Sequence, residues 1–238
     1  MPNSNNQLLC SNHFQSNALK DDKRNLFQIE NSHSQYRYEK LEEDLNINPK
    51  INPEIAAKIL RDRSGINGEK IGFGNEKALN QLLAHHGIIF RPAQRLVWVS
   101  ANPYQMDEMV CYDLNEVFGN ENGNGKTSLS KSELNIAADP FLQTEEYQNY
   151  ELFRIEDRKM DEFLKNKSGM TEAFAKNYQS LNADFWVVYY KAAQYFYENE
   201  NYKDAKTNFE IALTKEITTL PARKEIEKKL RKINRKLR

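Results

Sequence analysis

Cys10, Asn12 and His13 fall in one short string, and Arg37 follows between two tyrosines, Tyr36 and Tyr38. These side-chain types can do chemistry. An asparagine at a strand end can aim its side-chain N–H2 into a pocket. An oxyanion hole needs such a fixed donor, about 2.7–3.1 Å from the developing charge, and losing one typically costs roughly 2.7–4 kcal/mol. The plain alternative for Asn12 is a turn cap, since asparagine is a common turn former. A fixed guanidinium can orient a carboxylate or support a nucleophile electrostatically. The plain alternative for Arg37 is a surface arginine on a helix. Cys10 reads as a small buried residue, and Cys111, in a strand-like run, reads the same way.

The elements that must position these groups are of mixed type. Residues 7–11 and 25–29 have strand character, and 34–45 has helical character. Residues 53–63 predict a short helix: Asn52 is the candidate cap, Pro53 takes the first helical position, and Ile55, Ile59 and Leu60 share a face. A glycine-punctuated loop follows. Three apolar runs come next, over 78–90, 95–101 and 108–118. The β-branched and aromatic content of Leu96, Val97, Trp98 and Val99 favours a sheet strand, and Arg91 to Gln94 fits a hairpin connection. The spacing of polar residues over 119–140 has no period and reads as a linker.

From Phe141 onward the pattern is helical. Residues 186–197 and 202–214 form two helical stretches in which Ala193, Ala205 and Ala212 interleave with Phe196, Tyr202 and Phe209. That spacing is similar to one tetratricopeptide-type hairpin, with 141–164 as a degenerate neighbour. Ile226, Leu230, Ile233 and Leu237 lie on one stripe of a last helix. The predicted fold class is therefore α+β over 1–118, a linker over 119–140, and an all-α region over 141–238.

Composition excludes several functions. The chain has 238 residues, enough for one large domain or two smaller ones, and its 34 basic and 34 acidic residues cancel. No global field favours nucleic acid. The C-terminal stretch from Arg223 is strongly basic, which fits the solvated outer face of a terminal helix. No run of about 18 apolar residues is present to span a membrane. Met1 to Asn6 shows no signal-peptide pattern, although one preceding this segment would leave localisation open. Two cysteines make no disulfide framework and fit a reducing compartment. The string from Gly119 to Thr127 misses phosphate-loop spacing by one residue, and as a calcium loop it has Lys131 where the bidentate glutamate belongs. The histidines and cysteines show no zinc spacing, so no metal and no cofactor is expected.

Taken in order, Ser11-Asn12-His13-Phe14, the Ser34…Arg37-Tyr38 string, the helix ending Ile59-Leu60-Arg61-Asp62, and the stretch from Ala78 through Tyr104 to Val110-Cys111-Tyr112-Asp113-Leu114 resemble a known family. It is the acyl-coenzyme A:6-aminopenicillanic acid acyltransferase family, also described as peptidase C45-like. Its members are N-terminal nucleophile hydrolases related to choloylglycine hydrolase, with two sheets between helical layers. The resemblance covers roughly residues 7–118. It implies hydrolysis or acyl transfer at linear amide C–N bonds, with Asn12 helping to form the oxyanion hole and Arg37 near the nucleophile. It implies no cofactor, and as partners a small-molecule amide or acyl substrate. Ser11 stands where the family commonly has threonine, and His85-His86-Gly87 departs from its pattern.

The family's nucleophile is a cysteine exposed by self-cleavage, whose own α-amino group acts as base. It lies well upstream of the Asn12 motif. The resemblance thus implies the later part of such a domain, with the front half supplied by a partner or lost, and an inactive fragment when alone. The alternative is a helical protein-interaction module built on the tetratricopeptide-like C-terminal region.

Overall fold

The computed structural model describes residues 7–119 and 128–238. Two of its first three helices start at side-chain caps. α1 (Lys23–Asn31) begins where the Asp22 carboxylate accepts from the backbone N–H groups of Arg24 and Asn25. α2 (Ser34–Ile47) follows directly. α3 (Pro53–Leu60) starts as the sequence predicts: Asn52 Oδ1 accepts from the Ile55 N–H at 2.8 Å, and proline occupies the first turn.

Residues 7–11, which read as a strand in the sequence, form none, and 25–29 lie inside α1. A strand needs a neighbour for its backbone N–H and C=O groups, and none of the described strands pairs with residues 7–11. At 25–29 the Asp22 cap outweighs the local strand preference, and Leu26 and Phe27 stay exposed instead of filling a core. Asn25 ties down the chain that follows the first segment. Its buried side chain accepts from the Phe14 N–H at 2.7 Å and donates to the carbonyls of Phe14 at 2.9 Å and Lys20 at 3.0 Å.

The sheet is small. β1 (Ile88–Arg91), β2 (Leu96–Ser100) and β3 (Met109–Asp113) run antiparallel in chain order, with Ile89 opposite Trp98 and Trp98 opposite Cys111. The β1–β2 hairpin is closed by one 3-10 turn over Pro92–Gln94 and by Arg95 in the left-handed conformation. Of the apolar run over 78–90, only the end from Ile88 is strand; the rest turns, with Leu82 fully buried at a positive φ. Residues 108–118 divide into β3 and the short helix α4 (Leu114–Gly119). Ser130 and Ile136 then bridge to Tyr112 and Met109, and the Trp98 indole donates to the Leu134 carbonyl at 2.8 Å. The stretch that reads as a linker thus lies along β3 where it is described. Residues 120–127, which hold most of the phosphate-loop-like and calcium-loop-like string, lie outside the described residues.

α3 covers this sheet through Ala57, packed with Ile89, Trp98, Met109, Cys111 and Ile136. Arg61, just past its end, is buried and has three carbonyl acceptors: Gln105 at 3.2 Å, Ala137 at 2.9 Å and Asp107 at 2.6 Å. Charge-assisted bonds of this kind offset the desolvation of the guanidinium. They also fix α3 against the loop that leaves β2.

Five helices complete the chain: α5 (Glu145–Asn166), α6 (Glu172–Leu181), α7 (Trp186–Glu198), α8 (Tyr202–Leu213) and α9 (Leu220–Lys236). α7 and α8 form the expected hairpin. Ala193, Ala205 and Ala212 are fully buried around Phe209, and Ile226 and Ile233 of α9 close the same cluster. A second cluster joins Leu82 and Met106 to Phe153, Met160, Tyr178, Val188 and Tyr195, so one core takes residues from both sides of the 119–140 stretch. α7 contributes to both clusters. The fold is α+β, with a three-stranded antiparallel sheet and a helical C-terminal region. Among the described residues, no helix is long and apolar enough to cross a membrane.

Candidate active site around Asn12 and Arg37

Arg37 lies in the first turn of α2, and Asn12 lies in the irregular segment that Asn25 holds in place. The two meet. Arg37 Nη2 donates to Asn12 Oδ1 at 2.5 Å, and Nη1 donates to the Glu76 carbonyl at 3.2 Å. Two acceptors set at different angles use the fork of the guanidinium, which an ammonium cannot match. Burial draws the Arg37 guanidinium below its ordinary value while Glu76 opposes the shift; the group remains a cation. The Asn12 side-chain N–H2 makes no hydrogen bond to any described residue.

Both side chains line a cleft of about 340 Å³. Cys10, Ser11, Asn12, Arg37 and Gln81 supply its polar lining, and Leu41, Ile59, Leu60 and Leu79 supply its apolar lining. The apolar part comes from α2, α3 and the loop after Ala78, so the two elements that sequence singled out near the site, Ser34 onward and the proline-led helix, both wall it. A few polar groups converging on an apolar concavity is the usual form of a small-molecule site.

Cys10 is exposed, which corrects the expectation of a small buried residue. It lines the cleft, but no described base lies within hydrogen-bond reach of its sulfur. Cys111 is buried in β3, and burial pushes its thiol up, the behaviour of an inert core residue.

The residues beside Asn12 form a cluster that sequence did not single out. His13 Nδ1 lies 2.8 Å from Ser34 Oγ and 3.0 Å from Ser11 Oγ, and the two hydroxyl oxygens are 3.2 Å apart. Ser34 is fully buried at the start of α2, whereas Ser11 reaches the cleft. Burial lowers the His13 imidazole below its ordinary value, so the ring is neutral at neutral pH and one nitrogen offers a lone pair. The Tyr38 ring lies 5.8 Å from the His13 ring, centroid to centroid. On the same helix start, His33 Nε2 is 3.5 Å from Glu76 Oε2. Burial, then Arg37 and Lys77, lower the His33 imidazole, and Glu76 acts against them.

A further charged cluster lies along α2. The buried Lys40 ammonium pairs with Glu43 at 3.0 Å, Asp44 at 2.8 Å and Asp62 at 3.0 Å. Burial alone would lower Lys40, but hydrogen bonds to Asp44, Glu43 and Asp62 reverse this and hold it above its ordinary value. The i, i+4 spacing of Lys40 and Asp44 is readable in the sequence; the approach of Asp62 is not. Among the described residues, no group of three His, Cys, Asp or Glu is placed to hold a metal ion.

In comparisons with known proteins, the chain matches no family model, no curated protein and no solved structure.

Proposed function

We propose that the chain acts on, or binds, a small molecule with a linear amide or acyl group, in the manner of an amide hydrolase or acyltransferase. The observation that carries this reading is the 2.5 Å bond from Arg37 to Asn12 Oδ1 at a partly apolar cleft. With its oxygen engaged, the Asn12 carboxamide has its N–H2 left to donate. A donor held in this way is suited to a carbonyl oxygen and better suited to the oxyanion that develops on attack. The apolar lining from Leu41, Ile59, Leu60 and Leu79 suits an acyl chain.

The resemblance of residues 7–118 to the acyltransferase family supports the same reaction class. On that basis the α+β part is the later portion of a layered N-terminal nucleophile hydrolase domain. Cys10 has a place in the cleft but no base among the described residues within reach, so the reading assigns it no role.

The test is direct binding of N-acetyl amino acids and their amides, read by titration calorimetry. Wild type is expected to bind, and Asn12→Ala is expected to weaken binding by about tenfold, the worth of one net hydrogen bond. If no N-acyl compound binds, or Asn12→Ala binds as wild type does, the reading fails.

A further inference from the structure

We infer that Ser11 is an acyl-accepting nucleophile of this cleft, served by His13 as its base directly or through the Ser34 hydroxyl. The inference rests on reading the cleft as an amide or acyl site. It goes beyond that reading by finding the attacking group inside the chain, where the family resemblance draws a thiol from another segment.

Three observations carry it. Ser11 Oγ is 3.0 Å from His13 Nδ1, within the reach a general base needs. Ser34 Oγ, fully buried, lies 2.8 Å from the same nitrogen and 3.2 Å from Ser11 Oγ, so its hydroxyl can donate to the His13 lone pair while accepting from Ser11. Ser11 also lines the cleft into which the Asn12 and Arg37 side chains reach, so nucleophile and oxyanion donor share one space. A hydroxyl, a base within its reach and a separate oxyanion donor are parts that acyl transfer requires. By contrast Cys10, the more obvious nucleophile, has no described base within reach.

The step balances as follows. Ser11 Oγ forms a bond to the carbonyl carbon, and its proton passes to His13 Nδ1, directly or through the Ser34 hydroxyl. The oxyanion lies against the Asn12 N–H2. Collapse breaks the C–N bond, the leaving amine takes the proton from His13, and an ester remains on Ser11. Water then gives a proton to His13 and attacks the ester carbon; the bond to Ser11 Oγ breaks, Ser11 Oγ takes that proton back from His13, and the acid leaves.

The test uses the full chain and an alkyl fluorophosphonate, a probe that phosphonylates serines activated by a base. Peptide mass spectrometry is expected to find the adduct on Ser11, and Ser11→Ala is expected to abolish it. His13→Gln should slow it by about a hundredfold or more, the usual contribution of a general base. The wild-type rate should rise with pH and reach half its plateau at a pH below 6.5, the ordinary histidine value, because burial lowers His13. No adduct, an adduct on another residue, or equal rates in His13→Gln would overturn the inference. Ser11→Cys provides a check free of phosphonate chemistry: iodoacetamide should alkylate position 11 before Cys10, and the reverse order counts against Ser11. Protection of Ser11 by an N-acetyl amino acid links the two proposals. Binding of that ligand without any labelling removes Ser11 and leaves the reading of the cleft; labelling that the ligand does not affect supports Ser11 and removes the amide assignment.

Discussion

Arg37 Nη2 donates to Asn12 Oδ1 at 2.5 Å, joining the first turn of α2 to an irregular segment 25 residues earlier in the chain. The bond orients the Asn12 carboxamide. Because the same guanidinium also reaches the Glu76 carbonyl, Arg37 is held from two sides. The side chain of Asn12 is therefore set by a fork rather than by a single flexible contact.

Arg37→Lys is expected to fail as a conservative change. An ammonium on a flexible stem cannot hold the Asn12 and Glu76 oxygens in the same fixed geometry. Loss of a hydrogen bond to a charged group is worth about 1.5–3 kcal/mol, so affinity for an N-acetyl amino acid should fall roughly 10- to 100-fold. Calorimetric titration checks this, with circular dichroism to confirm the fold.

Asn25→Ala is expected to release the segment that carries Ser11, Asn12 and His13. It removes three hydrogen bonds to backbone groups, two of them the N–H and C=O of Phe14. A loss of about 2–3 kcal/mol in urea denaturation is expected, since buried backbone groups are left without partners. Amide exchange at Phe14 should rise in the same variant. Unchanged protection there would show that other contacts hold the segment.

Lys40→Met leaves Asp44 and Asp62 facing each other without a cation. Breaking a buried charge cluster on one side typically costs about 3–5 kcal/mol. The pH dependence follows from the directions of the shifts. Lys40 is raised in the folded chain, so its contribution is complete below its ordinary value of 10.5 and is lost as pH rises through the folded value. Asp62 is lowered despite its burial, by hydrogen bonds from Ser64 and Lys40, so its contribution is present above 3.8 and is lost as pH falls through the folded value. Burial raises Asp44, which restores a little stability on acidification from neutral pH. Urea midpoints measured from pH 3 to 12 should begin to fall above 10.5 in wild type, and that fall should be smaller in Lys40→Met.

Gly72→Ala is expected to destabilise strongly. Gly72 has φ +83°, and a Cβ there would lie 2.3 Å from the Phe185 Cα. Strain and the clash with backbone together amount to roughly 2–4 kcal/mol. Gly68→Ala is the control: its φ is +72°, but nothing lies within 4 Å of the added carbon, so only about 1 kcal/mol is expected. Thermal unfolding of the two variants separates close approach from backbone strain.

The role of the 72–75 segment as a clasp was not legible in the sequence. Phe73 exchanges backbone hydrogen bonds with the Asn182 side chain, and Asn75 donates to the Glu216 carbonyl. Each of these bonds joins residues more than a hundred positions apart, and no local pattern encodes such a partner. The strand readings at 7–11 and 25–29 failed for a related reason. Their apolar content was real, but a strand exists only with a neighbour to pair with: no described strand pairs with 7–11, and 25–29 lie inside α1.

What the sequence by itself determined are features whose partners lie within a few residues. The Asn52–Pro53 start of α3, the turn joining β1 to β2, and the small-residue pattern of the α7–α8 hairpin each rest on local backbone geometry. Asn12 and Arg37 were also picked out by sequence, through resemblance. Tertiary structure alone decided that they touch, that Cys10 is exposed with no base among the described residues in reach, and that Ser11, His13 and Ser34 converge. The physical reason is that hydrogen-bond distance between residues separated by 20 or more positions depends on how α1 and α2 pack and how Asn25 holds the chain before them. No side-chain pattern within the string Cys10 to Phe14 records that packing.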